Sequence, residues 1–206
     1  MRVAVVGGTG DFGLALARVL AAAGEEVVIG SRDSERAREK AAEVGAAAGA
    51  ANTVAVDGAD LVVLATKAEA SLETAASLVT ALGETPVLCV ASELRFTKGG
   101  VFPGVEQLSI AERTQAVVDG PVVAGLHSLA ASSLSHGPAE GDALVCSDDE
   151  EAKCLALDLA AKAVTGRALD AGPLASARSL EGLTAVIVNL NRRYKGHAGV
   201  HVTGLP

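Results

Sequence analysis

Aromatic residues are almost missing from this chain: there is no tryptophan, and Phe12, Phe96, Phe102 and Tyr194 are the whole supply. A flat ligand must therefore be held by aliphatic walls and backbone, since no indole is available to stack on a ring. Basic residues are outnumbered, 17 Lys and Arg against 25 Asp and Glu, and the net charge of −8 argues against a sequence-independent nucleic-acid binder, which needs a concentrated basic surface. A small polyphosphate ligand stays open, because two or three placed cations and a row of amides suffice for it. Cysteine is scarce as well. Cys89, Cys146 and Cys154 form neither a C-x-x-C pair nor a metal-like spacing, which suits a reducing cytoplasm, and all three read as buried small apolar residues. No apolar run approaches the roughly 18 residues of a membrane span. The start, MRVAVVGG, lacks the charged and long apolar segments of a signal peptide, so a soluble cytoplasmic protein with no membrane partner is expected.

What is present is an alternation of short apolar runs and longer Ala-rich stretches over 206 residues, enough for one domain or a domain with a small appendage. Residues 2–7 and 26–30 read as strands flanking a helix over 11–23, whose apolar positions Phe12, Leu16, Val19 and Leu20 follow helical spacing. A helix is predicted from Asp33 or Ser34 to Gly45 with Asp33 as N-cap, then a weak strand near 52–56, a buried strand over 60–66, a helix over 69–82 and a strand over 86–91. The Gly, Pro and Lys content of 92–104 reads as a long loop. Further on, a helix at 110–118, a strand at 121–126, an aperiodic stretch, a strand at 142–147, an acid-capped helix, a short strand at 167–171 and a helical tail over 173–191 complete the pattern. Such alternation predicts an α/β, doubly wound, mainly parallel sheet. Residues 1–128 form its nucleotide-binding part, and 129–206 a smaller C-terminal part that completes the sheet and ends in a long helix.

The sequence VAVVGGTGDFG places G-x-G-x-x-G at Gly8, Gly10 and Gly13, directly between a strand and a helix. In that context the motif marks a Rossmann-type dinucleotide site. Gly8 allows the tight turn, Gly10 the approach of backbone to a pyrophosphate, and Gly13 close packing of helix on strand. Thr9 can add a hydroxyl, and Asp11 is expected to face solvent while its amide faces the anion. About 20 residues on, where an acid would hold the ribose hydroxyls of NAD, the chain reads GSRDSER. Ser31, Arg32 and Arg36 offer a hydroxyl and two guanidinium groups, which suit the 2′-phosphate of NADP. Asp33 is assigned to helix capping, the other reading being a ribose acid displaced by two positions. Solvated surface charges are the plainer reading of the two arginines.

The stretches VGGTGDFG, GSRDSERAREKAAE, VVAGLHSLAA and ALVCSDDEEAK, and above all LDAGPLASARSLEGLTAVIVNLNRRYKGHAG, resemble the F420-dependent NADP oxidoreductases (NADPH:coenzyme F420 reductases), and the likeness runs over nearly the whole chain. The resemblance implies a small, homodimeric Rossmann-type enzyme that moves a hydride between NADPH and the deazaflavin F420. It places Thr9, Gly10, Asp11 and Phe12 on the pyrophosphate and Ser31, Arg32 and Arg36 on the 2′-phosphate. It puts the segment from His127 to Ala131 beside the two rings, Ala198 against the nicotinamide, and the F420 pocket and dimer interface in the C-terminal part. The chain departs from the family at TKAEAS, where Ala68 stands at the place of an aromatic residue, and at LHSLAA, which lacks a proline.

Hydride transfer between flat rings needs no nucleophile or metal, only reacting carbons held about 3–3.5 Å apart and aligned. His127 is the one titratable side chain expected near the rings, either bonding the deazaflavin or supporting the loop. His136, His197 and His201 are not a metal set, and Asp148, Asp149, Glu150 and Glu151 sit where acids complement a helix dipole. Arg95 and Lys98 are candidates for attracting the anionic tail of F420, or plain loop cations. Two other functions fit the residues: an NADPH-dependent reductase of a small carbonyl or imine compound, and a non-catalytic NADP sensor.

Overall fold

In β1 (Arg2–Val6) every other side chain turns to the opposite face of a sheet, and both sets are apolar, so helices must cover both faces. The computed structural model describes residues 1–205 and has this layered arrangement. After β1 come α1 (Asp11–Ala22), β2 (Glu26–Ser31), α2 (Ser34–Val44), β3 (Ala48–Ala51), α3 (Asn52–Ala55), β4 (Leu61–Leu64), α4 (Ala68–Leu82) and β5 (Val87–Cys89). Then follow β6 (Leu94–Thr97), β7 (Gly100–Pro103), α5 (Ile110–Gln115), β8 (Val122–Gly125), α6 (Ala131–Leu134), β9 (Ala143–Ser147), α7 (Glu150–Ala163), β10 (Ala168–Asp170) and α8 (Ala177–Tyr194). The eight-stranded sheet has the order β10-β9-β8-β5-β4-β1-β2-β3. All pairs are parallel except β8 with β9. Val3 and Val5 pack on one face with Leu16, Leu20 and Leu159, while Ala4 and Val6 pack on the other with Leu78, Ile110 and Leu180. No helix among the described residues is long and apolar enough to cross a membrane.

Because β1, β4, β5 and β8 run parallel, their C-terminal ends share one edge, the ligand edge of such sheets. The reversal at β9 has a direct consequence for that edge. With Gly125 opposite Val145 and Val123 opposite Ser147, the link between the two strands, residues 126–142, stays at the edge where β8 ends.

Three expectations are corrected. The weak strand near 52–56 lies earlier, at Ala48–Ala51, and Asn52–Ala55 is a helical turn. Val54 and Val56 have strand propensity, but packing overrides it: a Cβ on Gly49 would lie 2.2 Å from the Ala37 backbone, so only this small-residue run can lie under α2. The loop at 92–104 contains a hairpin in which Thr97 pairs with Gly100 around Lys98-Gly99. It is docked on α8, where Asn189 accepts from Val101 N at 2.9 Å and donates to Val101 O at 2.7 Å. Cys154 is exposed, because α7 buries Ala152, Ala156, Leu159, Ala160 and Ala163 on its other side. Burial pushes the thiols of Cys89 and Cys146 up to about 12.

Candidate functional site

The glycine loop joins β1 to α1 at the ligand edge. Its left-handed residue is Gly7, at φ +77°, rather than Gly8. Gly8 is glycine for a different reason, since a Cβ there would lie 2.7 Å from Val5 O. Gly13 is pressed on the same turn: an added Cβ would meet Gly7 O at 2.8 Å, Gly8 Cα at 2.9 Å and Ala65 Cβ at 3.2 Å. Gly10 is exposed and N-caps α1 without a side-chain bond. The amides of Asp11, Phe12 and Gly13 have no acceptor among the described residues, and the first to be paired within the helix is Leu14, on Gly10 O at 2.8 Å. A row of unpaired amides at the positive end of a 12-residue helix is an anion site in waiting. The Asp11 side chain faces solvent, Thr9 is half-buried, and Phe12 lies partly buried on the core.

This loop is tied to the end of β2. Gly30 O accepts from Gly7 N at 3.1 Å and from Gly8 N at 3.2 Å, so the next residues, Ser31 and Arg32, stand beside the anion cradle. Ser31 is buried and its hydroxyl oxygen accepts from Asp33 N at 3.2 Å, leaving its hydrogen free to donate. Asp33 caps α2: Oδ1 accepts from Glu35 N at 3.0 Å and Arg36 N at 3.1 Å. Arg32 and Arg36 are exposed, and neither has a carboxylate partner among the described residues. Sequence reasoning missed Asn52, the first residue after β3. Its Oδ1 is buried without a partner among the described residues and lies 2.9 Å from where a Gly30 Cβ would be, an acceptor left open near the end of β2. An amide residue directly after the small-residue strand was the available signal.

The other half of the edge holds His127. Nε2 lies 3.2 Å from Ala91 O, two residues beyond β5, which makes it the N–H nitrogen, and Nδ1 is buried with no partner among the described residues. Leu126 before it is held at φ +64°, a conformation a leucine adopts only under tertiary constraint. Thr184 on α8 supplies part of that constraint, donating to His127 O at 2.8 Å while its Oγ1 lies 2.8 Å from Ser92 Oγ. Ala131 opens α6, which packs on α1, and its neighbour Ser132 lies 3.0 Å through Oγ from His197 Nδ1. Ala198 is thereby carried to the same corner, with its N–H on Asn191 Oδ1 at 2.5 Å. Ala68 begins α4, three residues beyond the Ala65 that touches the glycine loop. Arg95 and Lys98 sit on the hairpin, Arg95 over the Phe102 ring at 5.5 Å. Among the described residues no group of three or more potential metal ligands gathers.

Burial pushes the His127 imidazole down to about 4, so it is neutral at pH 7. Between that value and the ordinary 6.5 the unfolded chain binds a proton that the folded chain refuses. The stabilisation is complete above pH 6.5 and lost as pH falls toward 4, by up to about 3 kcal/mol. Urea unfolding of wild type and His127→Gln at pH 7 and pH 4.5 checks this. The wild type should lose most of that amount on acidification, and the variant should lack this share of the loss.

The sequence profile of the family described as "NADP oxidoreductase coenzyme F420-dependent" matches residues 2–92. The F420-dependent NADP reductase of Methanothermobacter marburgensis is 36% identical over 223 residues, covering 100% of both chains. That of Methanocaldococcus jannaschii is 34% identical over 224 residues, covering 100% of this chain and 99% of its own. The crystal structure of a proposed F420-dependent NADP reductase from Arthrobacter sp. FB24 superposes with a TM-score of 0.78 at 26% identity, over 95% of each chain.

Proposed function

The chain belongs to the family of F420-dependent NADP reductases, and from that premise we propose that it transfers a hydride between NADP(H) and coenzyme F420. The observation that carries the NADP half is the amide row at the start of α1, unpaired among the described residues and joined through Gly30 to two arginines that have no carboxylate partner among them. Bound NADPH supplies the hydride, and oxidised F420 accepts it together with a proton from solvent. The chain's own residues bind and align. Thr9, Gly10, Asp11, Phe12 and Gly13 present backbone to the pyrophosphate, Ser31, Arg32 and Arg36 hold the 2′-phosphate, and the open Asn52 Oδ1 takes a donor from the adenosine half. His127, neutral and anchored through Nε2, offers its bare Nδ1 as an acceptor beside the rings, with Ala68, Ala131 and Ala198 as small walls. Small residues leave room for two stacked rings in a chain that has no tryptophan of its own to fill the space.

Residues 1–128 serve in this reading as the NADP-binding part and 129–206 as the part that completes the ring pocket. Val186 and Leu190 on α8 and Phe96 and Phe102 on the hairpin docked against it are exposed, apolar surface that fits a homodimer. A cytoplasmic site of action fits a small enzyme of two diffusible cofactors.

Mixing the protein with NADPH and oxidised F420 tests the function. Loss of the deazaflavin absorbance is expected, much faster than with NADH. Tight NADPH binding without turnover would make the chain a sensor. Inactivity toward F420 with turnover of a carbonyl or imine panel would move it to another substrate class.

A further inference from the structure

We propose that Asp142 is a positioning residue for the ring half of the site, its carboxylate latching the strap formed by residues 197–202 across the ligand edge. The proposal rests on the NADP and F420 reading for the identity of the rings, and on the following geometry for the latch.

Beyond α8 the described residues, 195–205, have no regular secondary structure, yet they stay on the surface of the fold. Asp142, whose side chain is fully shielded from solvent, gathers it. Its Oδ2 accepts from Val202 N at 2.8 Å and from Arg167 Nη2 at 3.2 Å, and its Oδ1 accepts from Arg167 N at 2.8 Å. His201 Nδ1 lies 3.5 Å from the same Oδ2. The Asp142 amide donates to Val200 O at 2.6 Å, and Arg167 also donates to Val202 O. Donation from the Arg167 and Val202 amides holds the Asp142 carboxyl down at about 2, so the latch is ionised at every working pH. On the other side, Ser128 Oγ donates to Asp142 O at 3.2 Å, which joins the latch to the residue after His127. The strap thus runs from the Ser132–His197 contact, past Ala198, to Asp142. An irregular segment keeps such a path only while its ordering entropy is offset; here Val202 N bonds the carboxylate, Val200 O takes the Asp142 amide, and Val202 O takes Arg167, which the same carboxylate holds in place.

Asp142→Asn keeps the size but not the chemistry. Either way round, the amide's NH2 faces a donor, the Arg167 amide in one orientation and the Val202 amide with Arg167 Nη2 in the other. The full-length variant should bind NADPH within about threefold of wild type, because the phosphate contacts are elsewhere. The nicotinamide emission of the bound NADPH should shift toward that of free NADPH, the KM for F420 should rise about tenfold with a smaller change in kcat, and hydrogen exchange over 197–202 should accelerate. Val202→Pro removes one donor from the strap side and should give the same pattern, and the two changes together should be far from additive. Faster strap exchange with unchanged emission and unchanged F420 KM overturns the proposal. So does loss of NADPH affinity in step with global stability in both variants, which would make Asp142 a plain structural residue. Should wild type fail to turn over F420, the reading of function falls, and the emission of bound NADPH still decides the latch.

Discussion

Arg32→Ala is expected to weaken NADPH binding by about ten- to a hundredfold while leaving NADH nearly unchanged. A charge-assisted hydrogen bond to a phosphate contributes about 1.5–3 kcal/mol, and each 1.4 kcal/mol is tenfold. Arg32 is exposed, so the loss should sit at the lower end in high salt and grow as salt is removed. The guanidinium has no carboxylate partner among the described residues, so its removal orphans nothing and the melting temperature should hold. Arg36→Ala should act in the same direction, one helical turn along α2. Titration of both cofactors at two salt concentrations measures the effect. Equal weakening of NADH and NADPH would remove Ser31, Arg32 and Arg36 from the account of specificity.

Gly13→Val should cost about a hundredfold in kcat/KM with NADPH and lower Tm by roughly 5–10 °C. The added Cβ would meet Gly7 O at 2.8 Å and Gly8 Cα at 2.9 Å, both backbone atoms that cannot swing aside. Overpacking of this kind typically costs about 1–3 kcal/mol, which for a chain of this size shifts Tm by roughly 2–4 °C per kcal/mol. The same displacement moves the amide row of α1 relative to Ser31 and Arg32, and a misplacement near 1 Å is enough for a loss of about a hundredfold. Gly10→Ala is the contrast. Its Cβ meets only Gly7 O, at 3.3 Å, so the variant should stay folded and lose cofactor affinity alone. Thermal unfolding beside NADPH titration separates the two. If Gly13→Val melts with wild type and keeps its kcat/KM, close helix-on-strand packing is not what this glycine provides.

The glycine loop and the arginine segment after β2 were legible because each of their parts is local. The glycine spacing, the strand before it, the helix after it and the Asp33 cap lie within 35 residues, and each carries a conformational preference of its own. Gly7 shows the limit: G-x-G-x-x-G marks Gly8, whereas the residue at positive φ is its neighbour. The corner around His127 is different, and only the resemblance pointed to it. His127 stands out in the sequence as a titratable residue in an apolar run, but its anchor on Ala91 is 36 residues away and the Thr184 bond 57.

By itself the sequence determined a doubly wound sheet with both faces covered, a dinucleotide loop and an arginine pair in place of the ribose acid. Hydrophobic period, glycine spacing and charge act over a few residues and need no partner from afar. Tertiary structure decided the rest. It chose the small-residue run Ala48–Ala51 over the β-branched residues after it, because only that run fits under α2. It turned a Gly-rich loop into a hairpin because Asn189, 88 residues away, bonds both polar groups of Val101. It brought Asp142, Arg167 and Val202 together at the edge where β8 ends, through the reversal of β9. Those contacts depend on which strands become neighbours, and that is settled by the packing of the whole sheet rather than by any segment's own preference.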